Sequence, residues 1–143
     1  MDNFIDSFKY YLRKNDISFK ETESAISFDH NNKYFLLIKD LDKTLYYRLM
    51  LPRIIDVTDE NKQLLQELAL ELTTKYRVAK IVKWENELSI SYEFVLYSSD
   101  ASASQTFFSR TLAILSMILD EFQKLYSEKS VSSLEEQGKV TCQ

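Results

Sequence analysis

An alternation of apolar and polar side chains in the second half of the chain, broken near its end by Val95, constrains its fold more than any other feature. The alternation runs over residues 88–96, where the apolar members are Leu88, Ile90, Tyr92, Phe94 and Leu96. Successive side chains of a β-strand point to opposite faces, so the pattern predicts a strand with one buried face and one solvated face. Strands of this kind are typical of antiparallel sheets, and we expect Tyr92 and Phe94 to be deeply buried.

Three further segments, over residues 25–30, 34–38 and 45–51, are interpreted as strands with the same period of two. The apolar residues assigned to one side of each strand are Ile26 and Phe28, then Tyr34, Leu36 and Ile38, then Leu45, Tyr47, Leu49 and Leu51. The strands are separated by short segments rich in Asn and Asp, which tolerate the left-handed conformations that tight turns need. That tolerance matters because the single glycine of the chain, Gly138, lies far from these turns. Short turns make sequential strands antiparallel neighbours, so the segments predict a three-stranded meander. Pro52 is expected to close its third strand, since proline cannot donate to a ladder.

The remaining periodic segments predict a second hairpin and three helices. The hairpin pairs residues 78–84 with 88–97. Apolar residues spaced by three and four predict helices over about residues 2–14, from an N-cap at Thr58 to Tyr76, and over about residues 105–126. The fold class is therefore α+β, with the order α-β-β-β-α-β-β-α and an antiparallel sheet made of a meander plus a hairpin.

The chain has the length of one domain, since 143 residues lie near the commonest domain size. We expect a single α+β domain over residues 1–128, followed by a polar, mobile tail over residues 129–143. No stretch approaches the ~18 uncharged apolar residues that crossing a bilayer requires. The acidic segment at residues 1–6 lacks the basic flank of a signal peptide. These features predict a cytoplasmic protein without a membrane partner.

The residue inventory argues against the common catalytic and metal-binding sites. The single histidine, His30, lies in a predicted turn, so a His-based zinc site and a Ser-His-Asp triad both lack components. The single cysteine, Cys142, lies in the predicted tail, and Glu85, Glu87 and Glu93 are interpreted as solvated charges. No glycine follows a predicted strand, which argues against P-loop and dinucleotide sites, and a formal charge of -4 disfavours nucleic acid. We therefore expect no enzyme, no metal and no cofactor.

The sheet carries more apolar residues than one buried face requires. Either the second helix covers the surplus within the monomer, or the surplus forms a surface that binds protein. The second interpretation predicts a homodimer formed through the second helix and the adjacent sheet, or a bound segment of a client protein. The candidate protein-binding residues are Phe35, Leu37, Tyr46, Met50, Val95 and Tyr97.

The order of the predicted elements resembles a known family. The segments that carry the resemblance are Tyr76-Arg77-Val78-Ala79-Lys80-Ile81, Leu88 to Leu96, and Phe107 to Phe122. Through them the chain resembles the type III secretion chaperone-like fold and, more closely, the YbjN-like proteins of bacteria. The resemblance implies a small homodimer that binds other proteins, is not an enzyme and has no catalytic residues.

Two main functions stay open at this point. The first is a non-enzymatic protein-binding module, chaperone-like in action and working as a small dimer. The second is a small-molecule-binding or regulatory domain with a pocket between sheet and helices. An enzyme with a carboxylate-only site is a minor third. A dry core with an apolar external patch favours the first function, and a large apolar cavity favours the second.

Overall fold

Three helices and six strands make up the part of the chain that the structure, a computed structural model, describes: residues 3–39, 45–98 and 102–141. The helices are α1 (Asn3–Lys14), α2 (Lys62–Lys75) and α3 (Gln105–Thr141). The strands are β1 (Phe19–Glu21), β2 (Ala25–His30), β3 (Lys33–Ile38), β4 (Tyr46–Asp56), β5 (Lys80–Trp84) and β6 (Glu87–Val95). They form one antiparallel sheet with the order β1-β2-β3-β4-β6-β5, which confirms the predicted α+β class.

Tight turns with left-handed residues join sequential strands. Asn31 (φ 53°) and Asn32 (φ 63°) connect β2 to β3, and Glu85 (φ 55°) lies in the turn between β5 and β6. Asparagine adopts this conformation at little cost, which is why the turn forms without glycine. A two-residue connection fixes the register, so Phe28 pairs with Phe35. The predicted meander and the predicted hairpin are both present.

β4 continues past Pro52, so the prediction that this proline closes the strand is wrong. β4 pairs with β6 up to Leu51 and again from Ile55, and the residues between them form a bulge. Arg53 takes a φ of 53° in this bulge, and its N–H donates to the Ser89 hydroxyl at 3.3 Å. A bulge interrupts the ladder, so the missing N–H of proline removes no strand-pairing bond here.

All three helices pack on one face of the sheet, which makes a two-layer fold. α1 places the Phe4 ring 4.8 Å from that of Tyr47 and the Phe8 ring 5.6 Å from that of Phe28. Phe108 of α3 joins this aromatic cluster, with its ring centre 5.0 Å from that of Phe8. α2 builds a second buried cluster beside the first, made of Leu65, Leu68, Leu72, Leu88 and Phe122.

Two element starts differ from the predictions. β1 is absent from the predicted order because its three residues, with Phe19 as the one apolar member, are too few to show an alternation. α2 begins at Lys62 rather than directly after Thr58. The N–H of Thr58 donates to the Asn61 side chain at 2.8 Å, and the N–H of Asn61 donates to the Thr58 hydroxyl at 3.3 Å. These reciprocal bonds close a separate turn ahead of the helix.

α3 extends well beyond its predicted end near Tyr126. The helix continues to Thr141, so the backbone of residues 129–141 is helical rather than an irregular tail. Glu and Lys, which have good intrinsic helix propensity, make up four of these thirteen residues, whereas the few apolar residues of the segment leave no stripe for sequence analysis to detect. The predicted mobility of the segment stays a prediction. No helix within the described ranges is long and apolar enough to span a membrane.

The burial of β6 falls along its length, which corrects the prediction for Tyr92 and Phe94. Leu88 and Ile90 are 5% and 0% exposed, whereas Tyr92 and Phe94 are only partly buried. α2 packs against the Leu88 end of the strand. The other end is covered by Phe107 of α3, whose ring lies 6.4 Å from that of Tyr92. The helix layer is therefore thinner over this end of β6.

Candidate protein-binding face

The sheet face opposite the helices has no helix packed on it among the described residues. Its side chains come from alternate positions of the three central strands, β3, β4 and β6. None of its apolar members belongs to the two described core clusters, so neighbours within the sheet are their main packing partners. We call this surface the uncovered face and define it by Tyr34, Leu36, Ile38, Tyr46, Arg48, Met50, Ser91, Glu93 and Val95.

Strand register groups the uncovered face into rows that cross the sheet. The rows are Leu36–Met50–Ser91, Ile38–Arg48–Glu93 and Tyr46–Val95. Facing residues of an antiparallel pair have Cβ atoms about 4.5–5.5 Å apart, so Leu36 and Met50 form a continuous apolar centre. Tyr34, Tyr46 and Val95 lie around this centre and are 49%, 39% and 66% exposed. The face thus combines an apolar part at Leu36, Ile38 and Met50 with the charged neighbours Arg48 and Glu93 and with exposed apolar side chains around them.

Glu93 is the centre of the charge network on the uncovered face. Lys80 Nζ lies 3.0 Å from its carboxylate, Arg48 is its cross-strand neighbour, and the Tyr46 hydroxyl donates to it. The hydrogen bond from Tyr46, with that from Lys80, holds the pKa of Glu93 below its ordinary value against the opposite effect of burial. The same bond raises the pKa of Tyr46. The carboxylate is therefore ionised at neutral pH, and its charge is compensated within the face.

Two serines form a closely packed floor beside this network. Ser89 and Ser91 are 4% and 1% exposed, although the alternation assigns them to the solvated side of β6. Ser91 lies directly between Met50 of β4 and Lys80 of β5, and both of these neighbours have longer side chains. Short polar residues in this position let the longer side chains close over them. The middle of the uncovered face is consequently flat and nearly free of solvated serine hydroxyls.

The six predicted protein-binding residues do not share one surface. Phe35 and Leu37 are 0% and 1% exposed and lie under the helices, so their assignment to a protein-binding surface is wrong. Tyr46, Met50 and Val95 do lie on the uncovered face. The sixth residue, Tyr97, follows the end of β6 and is 90% exposed. Whether these exposed residues bind protein stays a prediction.

The residues that the prediction missed are Leu36 and Ile38, which take the place given to Phe35 and Leu37. β3 is apolar at every position from 34 to 38, so its own pattern does not say which side meets the helices. The signal lies in the neighbouring strand. The Asn31-Asn32 turn sets Phe28 opposite Phe35, and the apolar side of β2 then selects the buried side of β3.

Of the residues considered for chemistry, Glu93 lies on the uncovered face, and the others lie outside the set that defines it. His30 ends β2, and its Nε2 atom is 3.3 Å from the side-chain nitrogen of Asn31. Glu87 pairs with Arg53 at 3.3 Å, and Glu85 is exposed in its turn. Within the described ranges, no three His, Cys, Asp or Glu side chains lie close enough to hold a metal ion. Cys142 lies outside the described residues.

Comparison with known proteins gives a likeness in fold. No family model matches the chain, and no curated protein matches it. Among solved structures, the chain is similar to that of YbjN, a proposed transcription regulator from E. coli, with a TM-score of 0.60. The match covers 85% of this chain and 90% of that chain at 11% sequence identity. The YbjN-like fold is confirmed, whereas the secretion-chaperone part of the resemblance gains no support from this likeness.

Proposed function

We propose that this chain is a non-enzymatic protein-binding module and that the uncovered face is its contact surface. The observation that carries the proposal is the one-sided packing of the sheet. All three helices lie on one face of the sheet. The middle of the other face is lined by Leu36, Ile38 and Met50, which belong to neither of the two core clusters described above. Contiguous apolar surface rimmed by polar residues marks interaction sites on soluble proteins. The non-enzymatic part of the proposal rests on the residue inventory, which offers one histidine and one cysteine.

The edges of the sheet are poorer contact surfaces than its face. A partner strand adding to β5 would need the outward N–H groups of that strand. The N–H of Ile81 is already occupied, because it donates to the Thr73 hydroxyl of α2 at 3.1 Å. The opposite edge, β1, is three residues long and carries Lys20 and Glu21, and short charged edges resist strand addition. A partner is therefore expected to dock on the face.

The occupant that the face fits best is a second copy of this chain. The Glu93 carboxylate is already engaged by Lys80 and Tyr46 within one copy, so a partner does not have to supply a cation to it. Six strands about 4.8 Å apart make a face roughly 24 Å wide, and strands of about six residues make it roughly 20 Å long. The projected area of the whole face is then roughly 480 Å². This is less than the roughly 800 Å² per partner of a standard stable interface, so we expect a dimer of modest affinity.

The dimer interface proposed here differs from the one suggested by sequence analysis. The apolar side of α2 is fully used within the monomer, because Leu65, Leu68 and Leu72 are each no more than 1% exposed. Outside that buried side, α2 offers a partner the single exposed leucine Leu70, which is 71% exposed. An extended client segment on the uncovered face, as in a chaperone-like role, is the runner-up occupant. YbjN is described as a proposed transcription regulator, and we propose that any regulatory role of this chain works through protein contacts, because its net charge of -4 disfavours DNA.

Sedimentation velocity with three methionine and tyrosine variants tests the proposal. We expect the wild-type chain to be a dimer at micromolar concentration and both Met50→Glu and Tyr46→Lys to be monomers. Met50→Glu puts a charge into the apolar centre, and Tyr46→Lys replaces an exposed ring by a third cation near Arg48 and Lys80. Met117→Glu is the matched control, because Met117 is 50% exposed on α3, on the helix side. It should remain dimeric.

Dye binding separates the face from its occupant. The wild type could be monomeric at every concentration and still bind an apolar dye, with Met50→Glu abolishing the dye binding. In that case the uncovered face remains the proposed contact surface, and its proposed occupant becomes a client segment instead of a second copy. If the wild type is monomeric and binds no dye, the protein-binding function is lost as well. A Met117→Glu variant that dissociates as readily as Met50→Glu would place the interface on the helix side.

A further inference from the structure

A groove of about 340 Å³ lies on the helix side of the sheet, where the first turns of α3 cross β6. Its floor is apolar and partly aromatic. We call it the α3 groove and define it by Val78, Tyr92, Phe107, Arg110, Thr111 and Ile114. It is separate from the uncovered face, because Tyr92 points to the opposite side of β6 from Ser91 and Glu93.

The groove exists because α2 ends too early to cover this end of β6. α2 stops at Lys75, and the chain then turns back into β5 through Val78, which is 54% exposed. Tyr92 and Phe107 remain partly buried, and their rings meet edge to face with 6.4 Å between centres. Ile114, one further turn along α3 from Arg110, is also partly buried. A strip of apolar surface is left between helix and sheet that no other described element fills.

Arg110 is the one charged side chain among the described residues that line the groove. It is exposed on the second turn of α3, and the described residues offer it no salt bridge. No Asp or Glu is among the described residues that line the groove. The Thr111 hydroxyl is already engaged, since it donates to the Phe107 carbonyl oxygen at 2.7 Å. The polar groups that a ligand could contact are therefore the Arg110 guanidinium, beside the apolar walls, and the Ser104 and Thr106 side chains at one end of the groove.

We infer that the α3 groove binds a small apolar carboxylate, such as a medium-chain aliphatic acid. The carboxylate pairs with the Arg110 guanidinium, whose planar fork suits a carboxylate. The aliphatic part lies against Tyr92, Phe107 and Ile114. The volume is at the lower end of the range for ligand sites, so the ligand is small and its Kd is on the order of 1 mM. This site does not depend on the dimer proposed above.

NMR titration of the full chain with octanoate tests the inference, with 1-octanol as the neutral probe of the same length. We expect saturable shifts at the Ile114 methyl groups with octanoate, and binding of octanol about tenfold weaker. Arg110→Gln should weaken octanoate to the level of octanol, and Arg110→Lys should restore part of the loss. Arg53→Gln is the matched control, since Arg53 is an exposed arginine in the bulge of β4, outside the groove. It should leave the affinity unchanged.

Several results would overturn the site. Octanoate that produces no saturable shift at Ile114 would show that the groove holds no such ligand. Equal binding of octanol and octanoate would show that the carboxylate is not recognised. An equal loss in Arg110→Gln and Arg53→Gln would show that the overall charge of the chain, and not the groove, attracts the anion.

Discussion

Two adjacent leucines of β3 give the sharpest test of which side of the sheet is buried. Leu37 is 1% exposed within the main core cluster, whereas Leu36 points to the uncovered face and belongs to neither described cluster. The two residues have the same chemistry, the same strand and neighbouring backbone positions. Truncating each to alanine therefore isolates the effect of the side on which it lies.

The expected costs differ by about 2 kcal/mol. Leu37→Ala removes a fully buried side chain and leaves a cavity between β3 and the helices, which costs about 3 kcal/mol. That is a large part of the roughly 5–15 kcal/mol that stabilises a domain. Leu36→Ala leaves no enclosed cavity, because its site opens to solvent in the monomer, and it costs about 1 kcal/mol.

Urea denaturation followed by circular dichroism measures this difference. Both substitutions are made in the Tyr46→Lys background, so that dimer dissociation does not add to the unfolding free energy and Met50, the cross-strand neighbour of Leu36, is kept. With a slope of about 2 kcal/mol per molar urea, the two midpoints should differ by about 1 M. Equal losses, or a greater loss for Leu36→Ala, would mean that the register of β2 and β3 is shifted by one residue and that the uncovered face is misassigned.

Three further predictions concern the rest of the fold. Glu121→Gln removes the ion pair with Lys75 (2.6 Å), whose hydrogen bond is the main cause of the lowered pKa of Glu121. The stabilisation from this pair is present above about pH 4 and is lost as the pH falls through the folded-state pKa of Glu121. The difference in melting temperature between variant and wild type should therefore close in acid, and a difference that widens in acid would refute the pairing. Deleting residues 130–143 should leave the melting temperature almost unchanged, because both described core clusters consist of residues that precede this segment. A fall of many degrees in melting temperature would show that the segment docks on the domain. Thr73→Val leaves the N–H of Ile81 without its acceptor and should cost about 1–2 kcal/mol in denaturation, with Thr73→Ser keeping most of the stability; an unchanged Thr73→Val variant would show that the hydroxyl does not stabilise this edge.

The amino-acid sequence predicts the elements of this fold better than their faces. The alternation over residues 88–96 and the Asn31-Asn32 turn identify the antiparallel sheet, because both signals act over a few residues. β3 is ambiguous for the opposite reason, since its apolar residues run without a break. Only the pairing of Phe28 with Phe35 decides which side is buried, and this requires reading two strands together.

The features of the two proposed sites depend on distant parts of the chain and have weaker sequence signals. The network around Glu93 joins β4, β5 and β6, so an acidic residue that reads as a solvated charge is in fact engaged by Tyr46 and Lys80. The α3 groove depends on where α2 ends relative to β6 in three dimensions. The spacing of apolar residues along the sequence does not indicate this relative position. Arg110 accordingly reads as one more exposed cation on an amphipathic helix.

The contact surface of the protein can be read from its methionine methyl groups. The chain has three methionines, of which Met50 lies on the uncovered face and Met117 is exposed on the helix side, while Met1 is outside the described residues. Carbon-13 labelling of the methionine methyl groups gives one NMR signal for each, and a dilution series follows them through the monomer–dimer equilibrium. We predict that the Met50 signal shifts on dilution and that the Met117 signal does not. A shift of Met117 with a constant Met50, or no shift of either over the whole concentration range, would contradict the proposal that the uncovered face joins two copies of the chain.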